Sequence, residues 1–113
     1  MARVVVFVPD LLFGSNVTAA VQAAGHEPVL VPDAERARGE LPEAGLLIVD
    51  LTAESGQRIE AVRGLTDVPR LGFYSHVEAD VRAQAEEAGF DLVVPRSRMA
   101  RDGAGLISRL LER

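Results

Sequence analysis

A chain of 113 residues, 48% hydrophobic and 26% charged, fits one globular domain with an aliphatic core of its own. It contains no cysteine, which excludes disulfides, zinc–thiolate sites, iron–sulfur clusters and thiol nucleophiles. A net charge of −5 argues against bulk nucleic-acid binding, and no apolar run approaches the roughly 20 residues of a membrane span. The opening Met1-Ala2-Arg3 leads straight into Val4-Val5-Val6 without the pattern of a signal peptide, so a cytoplasmic protein is expected. All 12 basic residues are arginine; lysine is absent.

The first predicted strand is Arg3–Val8, a continuous β-branched run of the kind covered on both faces, and Pro9 ends it. Ser15 is the expected N-cap of a helix with Val17, Ala20, Val21 and Ala24 inward, stopped by Gly25. His26 then reads as a turn residue. Pro28–Pro32 is a short strand bracketed by prolines, hence an edge. Asp33–Glu43, broken by Gly39 and Pro42, predicts one or two helical turns. Gly45–Leu51 is the third strand and the most apolar.

Glu54–Gly64 predicts a helix with Ile59 and Val62 inward, followed by a fourth strand, Pro69–Tyr74, weakened by Gly72. Ser75-His76-Val77-Glu78 has capping-box spacing, and its helix carries Val77, Val81, Ala85 and Ala88 on one face up to Gly89. Phe90–Val94 is the last strand and Met99–Leu111 the closing helix. With no linker, repeat or low-complexity tract between these elements, residues 1–113 are expected to form a single stand-alone domain.

Strands alternating with helices predict parallel pairing and a three-layer α/β sandwich with helices on both faces. Ligands of such sheets bind outside the carboxyl ends of the strands. The residues there are Pro9-Asp10, Asp50-Leu51-Thr52, Tyr74-Ser75-His76 and Pro95-Arg96-Ser97.

Leu46-Leu47-Ile48-Val49-Asp50-Leu51, an aspartate closing the third strand, resembles the phosphoacceptor segment of response-regulator receiver domains, and the likeness extends over the whole chain. The resemblance implies a flavodoxin-like fold with a five-stranded parallel sheet in the order 2-1-3-4-5. It implies Asp50 as candidate phosphoacceptor and Asp10 with Asp50 as candidate magnesium ligands. Ser75, or Tyr74, falls at the family's hydroxyl position, and Ala88-Gly89-Phe90-Asp91 resembles its Gly-Ala-Asp. Two positions depart from the pattern. Pro9 stands where a second acidic residue belongs, and Pro95-Arg96 stands where the family has Lys-Pro. A planar guanidinium is no conservative replacement for a compact ammonium at a phosphoryl site. Ser75 and Arg96 are therefore candidate switch or anion-binding residues.

These departures favour a pseudo-receiver: a non-enzymatic signalling or scaffold protein acting through protein–protein contacts, with no required cofactor. A functional phosphoacceptor using Asp50, magnesium and Arg96 is the first alternative. A small-anion or nucleotide-binding flavodoxin-like module, with Gly14-Ser15-Asn16 at a helix N-terminus, is the second. Plainer readings stand beside each residue. Asp50 can cap its loop, Asp10 can form a turn, Ser75 can cap a helix, and His76 reads as structural because no partner at readable spacing makes it a base. Leu11, Leu12 and Phe13 are placed in the first strand-to-helix loop, either packed down or exposed to a partner. Arg96, Arg98, Arg101, Arg109 and Arg113 make the C-terminal segment basic, as a solvated face or a partner surface. The resemblance implies a homodimer through the fourth and fifth helix region.

Overall fold

The computed structural model describes residues 1–75 and 77–112, so the expectations for His76 and for Arg113 lie outside the described residues. Strands β1 (Arg3–Phe7), β2 (Glu27–Val31), β3 (Leu46–Asp50), β4 (Arg70–Tyr74) and β5 (Leu92–Pro95) alternate with helices α1 (Leu11–Ala23), α2 (Ala34–Glu40), α3 (Ser55–Val62), α4 (Ala79–Glu87) and α5 (Arg96–Leu111). A 3-10 turn, Leu41–Glu43, extends α2. Every strand pairing is parallel, in the order β2-β1-β3-β4-β5. The flavodoxin-like sandwich expected from the sequence is the fold observed.

The two-residue period of a strand divides the core in two. Val4, Val6, Leu46, Ile48, Leu71 and Phe73 face α1 and α5, meeting Val17, Val21, Leu106 and Ile107. Val5, Phe7, Leu47 and Val49 face the opposite way, toward Ala37, Ile59, Val62, Val81 and Ala85 of α2, α3 and α4. Burial on both faces is why β3 is apolar at Leu46, Leu47, Ile48 and Val49 without alternation.

At the β2 edge, Glu27 donates its N–H to the Ala2 carbonyl on the β1 side. Strand alternation then turns the backbone of Pro28, Leu30 and Pro32 outward. Leu30 is left with the one outward N–H, between two prolines that cannot donate, and this closes the edge to an added strand.

Three helix starts differ from expectation. Asp10, not Ser15, caps α1, its carboxylate accepting from the Phe13 N–H at 2.8 Å. Leu11, Leu12 and Phe13 are thus the first turn of a helix rather than a loop, and Gly14-Ser15-Asn16 sits inside it, with the Gly14 N–H already bonded to the Asp10 carbonyl. Helix α4 starts at Ala79 after Glu78, with no side-chain cap, because the Ser75 carbonyl first takes the Glu78 N–H in a turn. Helix α5 starts at Arg96, immediately after the fifth strand. The segment after Asp33 is firmer than expected, since Asp33 caps α2 by accepting from the Arg36 N–H.

Gly72, read in the sequence as a weakness of the fourth strand, is required by packing. A Cβ there would lie 2.8 Å from Leu51 Cδ1 and 3.0 Å from the Phe90 ring. Both neighbours are buried and cannot retreat. Gly72→Ala is expected to lower stability by about 2 kcal/mol through overpacking, read as an earlier urea midpoint with unchanged slope.

Candidate functional site

The parallel sheet delivers the ends of β1, β3, β4 and β5 to one rim, and Asp10, Asp50, Ser75 and Arg96 all follow or close those strands there. Their side chains nevertheless divide among different partners.

Asp50 is the last residue of β3 and only 3% exposed. Its Oδ1 accepts from the Thr52 N–H at 2.8 Å and from the Thr52 hydroxyl at 2.5 Å. Its Oδ2 lies 3.6 Å from the Arg58 guanidinium, which also donates to the Asp50 carbonyl at 2.9 Å. Arg58 is the fourth residue of α3. Its side chain is 12% exposed, with the guanidinium 5.6 Å from the Phe7 ring centroid and 3.6 Å from Glu54. A buried carboxylate needs a counter-charge and hydrogen bonds, and here both come from the chain itself.

Sequence reasoning missed Arg58. The available signal was an arginine one residue before the inward-facing Ile59, at i+4 from Glu54, on the helix that leaves the Asp50 strand. In a helix, side chains lean toward the N-terminus, which aims this one back at the strand end.

The turn that carries Arg58 inward is strained. Glu54, which precedes α3, has φ 50 and is the one non-glycine residue with positive φ among the described residues. That conformation costs about 1–2 kcal/mol for a residue with a side chain. The contacts that hold it run back to Arg58: the Arg58 N–H donates to the Glu54 carbonyl, and the guanidinium faces the Glu54 carboxylate.

The other candidates turn elsewhere. Asp10 is exposed and engaged at the α1 cap. Arg96, the first residue of α5, places its guanidinium 5.9 Å from the Phe13 ring centroid, and Phe13 in turn packs on Phe73 with centroids 4.7 Å apart. Ser75 is half-buried and meets the α4 turn through its backbone. Arg101 and Arg98 lie 3.2 and 3.9 Å from Asp102 on the surface of α5. Of the Leu11-Leu12-Phe13 trio, the leucines are 87% and 84% exposed, while the phenylalanine turns into the sheet. Among the described residues, no group of three or more His, Cys, Asp or Glu side chains is placed to hold a metal ion, and no helix is long and apolar enough to cross a membrane.

No family model matches the sequence, and no curated protein matches it. Solved structures do match the fold. A response regulator from Thermotoga maritima superposes with a TM-score of 0.84 at 13% identity, over 100% of this chain and 99% of the other. A two-component response regulator from Clostridium difficile gives 0.82 at 14% identity, over 100% and 98%. An orphan response regulator of H. pylori gives 0.77 at 13% identity, over 97% and 96%. At such identities the likeness speaks for the backbone arrangement and leaves the chemistry to this chain's own residues. With the strand order, the full-length superposition and Asp50 at the end of β3, the chain has the fold of response-regulator receiver domains.

Proposed function

We propose that this domain is a pseudo-receiver: a non-enzymatic signalling or scaffold module that works through protein contacts without phosphorylation of Asp50 and without magnesium. The observation that supports this reading most directly is the internal engagement of Asp50 by Arg58 and Thr52. A phosphoacceptor carboxylate must offer a free oxygen to the incoming phosphorus, beside a magnesium ion held by carboxylates and water. Here one oxygen holds two Thr52 donors and the other faces a fixed guanidinium, whose charge opposes a divalent cation. Pro9 supplies no carboxylate, Asp10 uses its own on the α1 cap, and Arg96 lies over Phe13.

The anion-binding alternative gains little. The cleft beside Arg58 is also lined by Asp33 and Glu54, whose carboxylates oppose a bound phosphate.

Adding beryllofluoride with magnesium is expected to leave the amide resonances of Asp50, Leu51 and Thr52 in place, and acetyl phosphate is expected to add no phosphoryl mass. Shifts at those amides, or a mass increase lost in Asp50→Asn, would return the domain to the phosphoacceptors.

A further inference from the structure

Helix α1 differs from the other helices in its surface. Its sequence, LLFGSNVTAAVQA, contains no charged residue, whereas the exposed positions of α2, α3, α4 and α5 include Glu35, Glu60, Arg82 and Arg101. In a chain that is 26% charged, an uncharged surface helix lacks what keeps the other faces solvated. One flank of α1 packs against α5, where Ala20 approaches Gly103, and Val17 and Val21 are buried beneath. The outer arc, Leu11, Leu12, Ser15, Asn16, Ala19 and Ala23, is exposed.

That arc is graded in size. Two leucines stand at the N-terminal end, small polar residues in the middle, and Ala19 and Ala23 at the other end. Beside the leucines runs an apolar groove formed by Val8, Pro9, Leu30 and Pro32, with Leu30 52% exposed. Among the described residues, Leu11, Leu12 and Leu30 are three of the five exposed large hydrophobics, and Leu11 and Leu30 line the same groove. Scattered apolar residues need no explanation, but a contiguous uncharged face implies a partner.

We infer that α1 is a self-association surface, packed antiparallel against α1 of a second copy about a two-fold axis near Asn16 and Val17. Two-fold symmetry brings each patch against itself, so a face carrying one sign of charge meets the same sign. A second copy also carries net charge −5, and α1 offers contact without burying any of it. The size gradient becomes complementary in the antiparallel arrangement, since the leucine end of each helix lies over the alanine end of its partner. Helix dipoles are then opposed, which is the favourable sense. Strand addition at the β2 edge is not available as the mode of association, because Pro28 and Pro32 close it. A helix of 13 residues spans about 20 Å, so the interface lies at the small end of specific contacts and gives a weak, concentration-dependent dimer.

The test uses the full chain. Sedimentation across a wide concentration range is expected to show monomer and dimer in exchange. Ala19→Glu and Leu12→Glu, both at exposed positions, are expected to weaken the dimer at least about tenfold while circular dichroism and the melting temperature stay as in the wild type. Because the natural chain has no cysteine, Asn16→Cys, exposed and at the proposed axis, provides a single thiol that is expected to cross-link on oxidation, and Arg101→Cys on α5 one that is not. A monomer at every concentration overturns the inference. So does a dimer indifferent to both glutamates, or one cross-linked through residue 101, which would place association on the α4–α5 region instead. Neither result bears on Asp50, whose response to beryllofluoride is read separately.

Discussion

Arg58→Met is expected to lower the unfolding free energy by about 3 kcal/mol, the range seen when one partner of a buried ion pair is removed. Asp50, 3% exposed, would keep its Thr52 bonds but lose the cation that compensates its charge. The Asp50 carbonyl would lose a charged donor, and Glu54 would lose a contact that holds its left-handed backbone. Asp50→Asn is expected to cost far less, about 1 kcal/mol, because an amide oxygen still accepts from Thr52. The informative variant is the double one. Once Asp50 is neutral, removing Arg58 strands no charge, so Asp50→Asn with Arg58→Met should be more stable than Arg58→Met alone. Urea unfolding of the four proteins gives the coupling energy. Additive effects would show that the 3.6 Å pair carries no weight and would remove the main support for the pseudo-receiver reading.

Arg70→Ala is expected to cost a comparable amount, about 3–4 kcal/mol, at the opposite end of the sheet and for a purely structural reason. Arg70 opens β4 and is 2% exposed. Its Nη1 donates to the Val62 carbonyl at 2.8 Å and to the Arg63 carbonyl at 3.2 Å, satisfying the end of α3. The guanidinium lies 5.2 Å from the Phe90 ring centroid. Its backbone N–H donates to Asp91, the residue before β5. Burial pushes the guanidinium below its ordinary value, and the neighbouring Asp91 carboxylate opposes that shift. Alanine would leave the Arg63 carbonyl without this donor, the Val62 carbonyl with the Leu65 N–H in place of two donors, and a cavity beside Phe90. Arg70→Lys is expected to recover only part of the loss, since an ammonium cannot reproduce the fork or the stacking. The site also demands Gly89: φ is +97, and a Cβ there would lie 2.6 Å from Arg70 Nη2. If Arg70→Ala unfolds at the wild-type urea midpoint, this account of how α3, β4 and β5 are joined fails.

The fold was legible because its signals are local. Continuous β-branched runs such as Val4-Val5-Val6 and the apolar Leu46–Val49, the inward spacing of Val17 and Val21 or Ile59 and Val62, and Gly25 and Gly89 as stops all recur in the structure. Parallel pairing follows because each strand is separated from the next by a helix or helical segment. Helix starts were less legible. Asp10 and Ser15 are both good caps, and the choice between them depends on how soon the chain can leave Phe7 and cover the sheet. The same uncertainty placed Leu11 and Leu12 in a loop, which hid the uncharged helix they begin.

The sequence by itself determined the number and order of elements, inward helix positions such as Val17, Val21, Ile59, Val62, Val81 and Ala85 (though not Val77, which is 77% exposed), the proline-guarded edge and the position of Asp50 at the end of its strand. It determined the missing lysine as well, because an absence can be read from composition. Only the tertiary structure decided what Asp50 touches. Arg58 is eight residues away along the chain, and its meeting with Asp50 depends on the left-handed turn at Glu54 and on the ring of Phe7 across the sheet. Periodicity records which face a residue lies on; the pairing of two side chains depends on backbone path and on competing partners, and that information is not local.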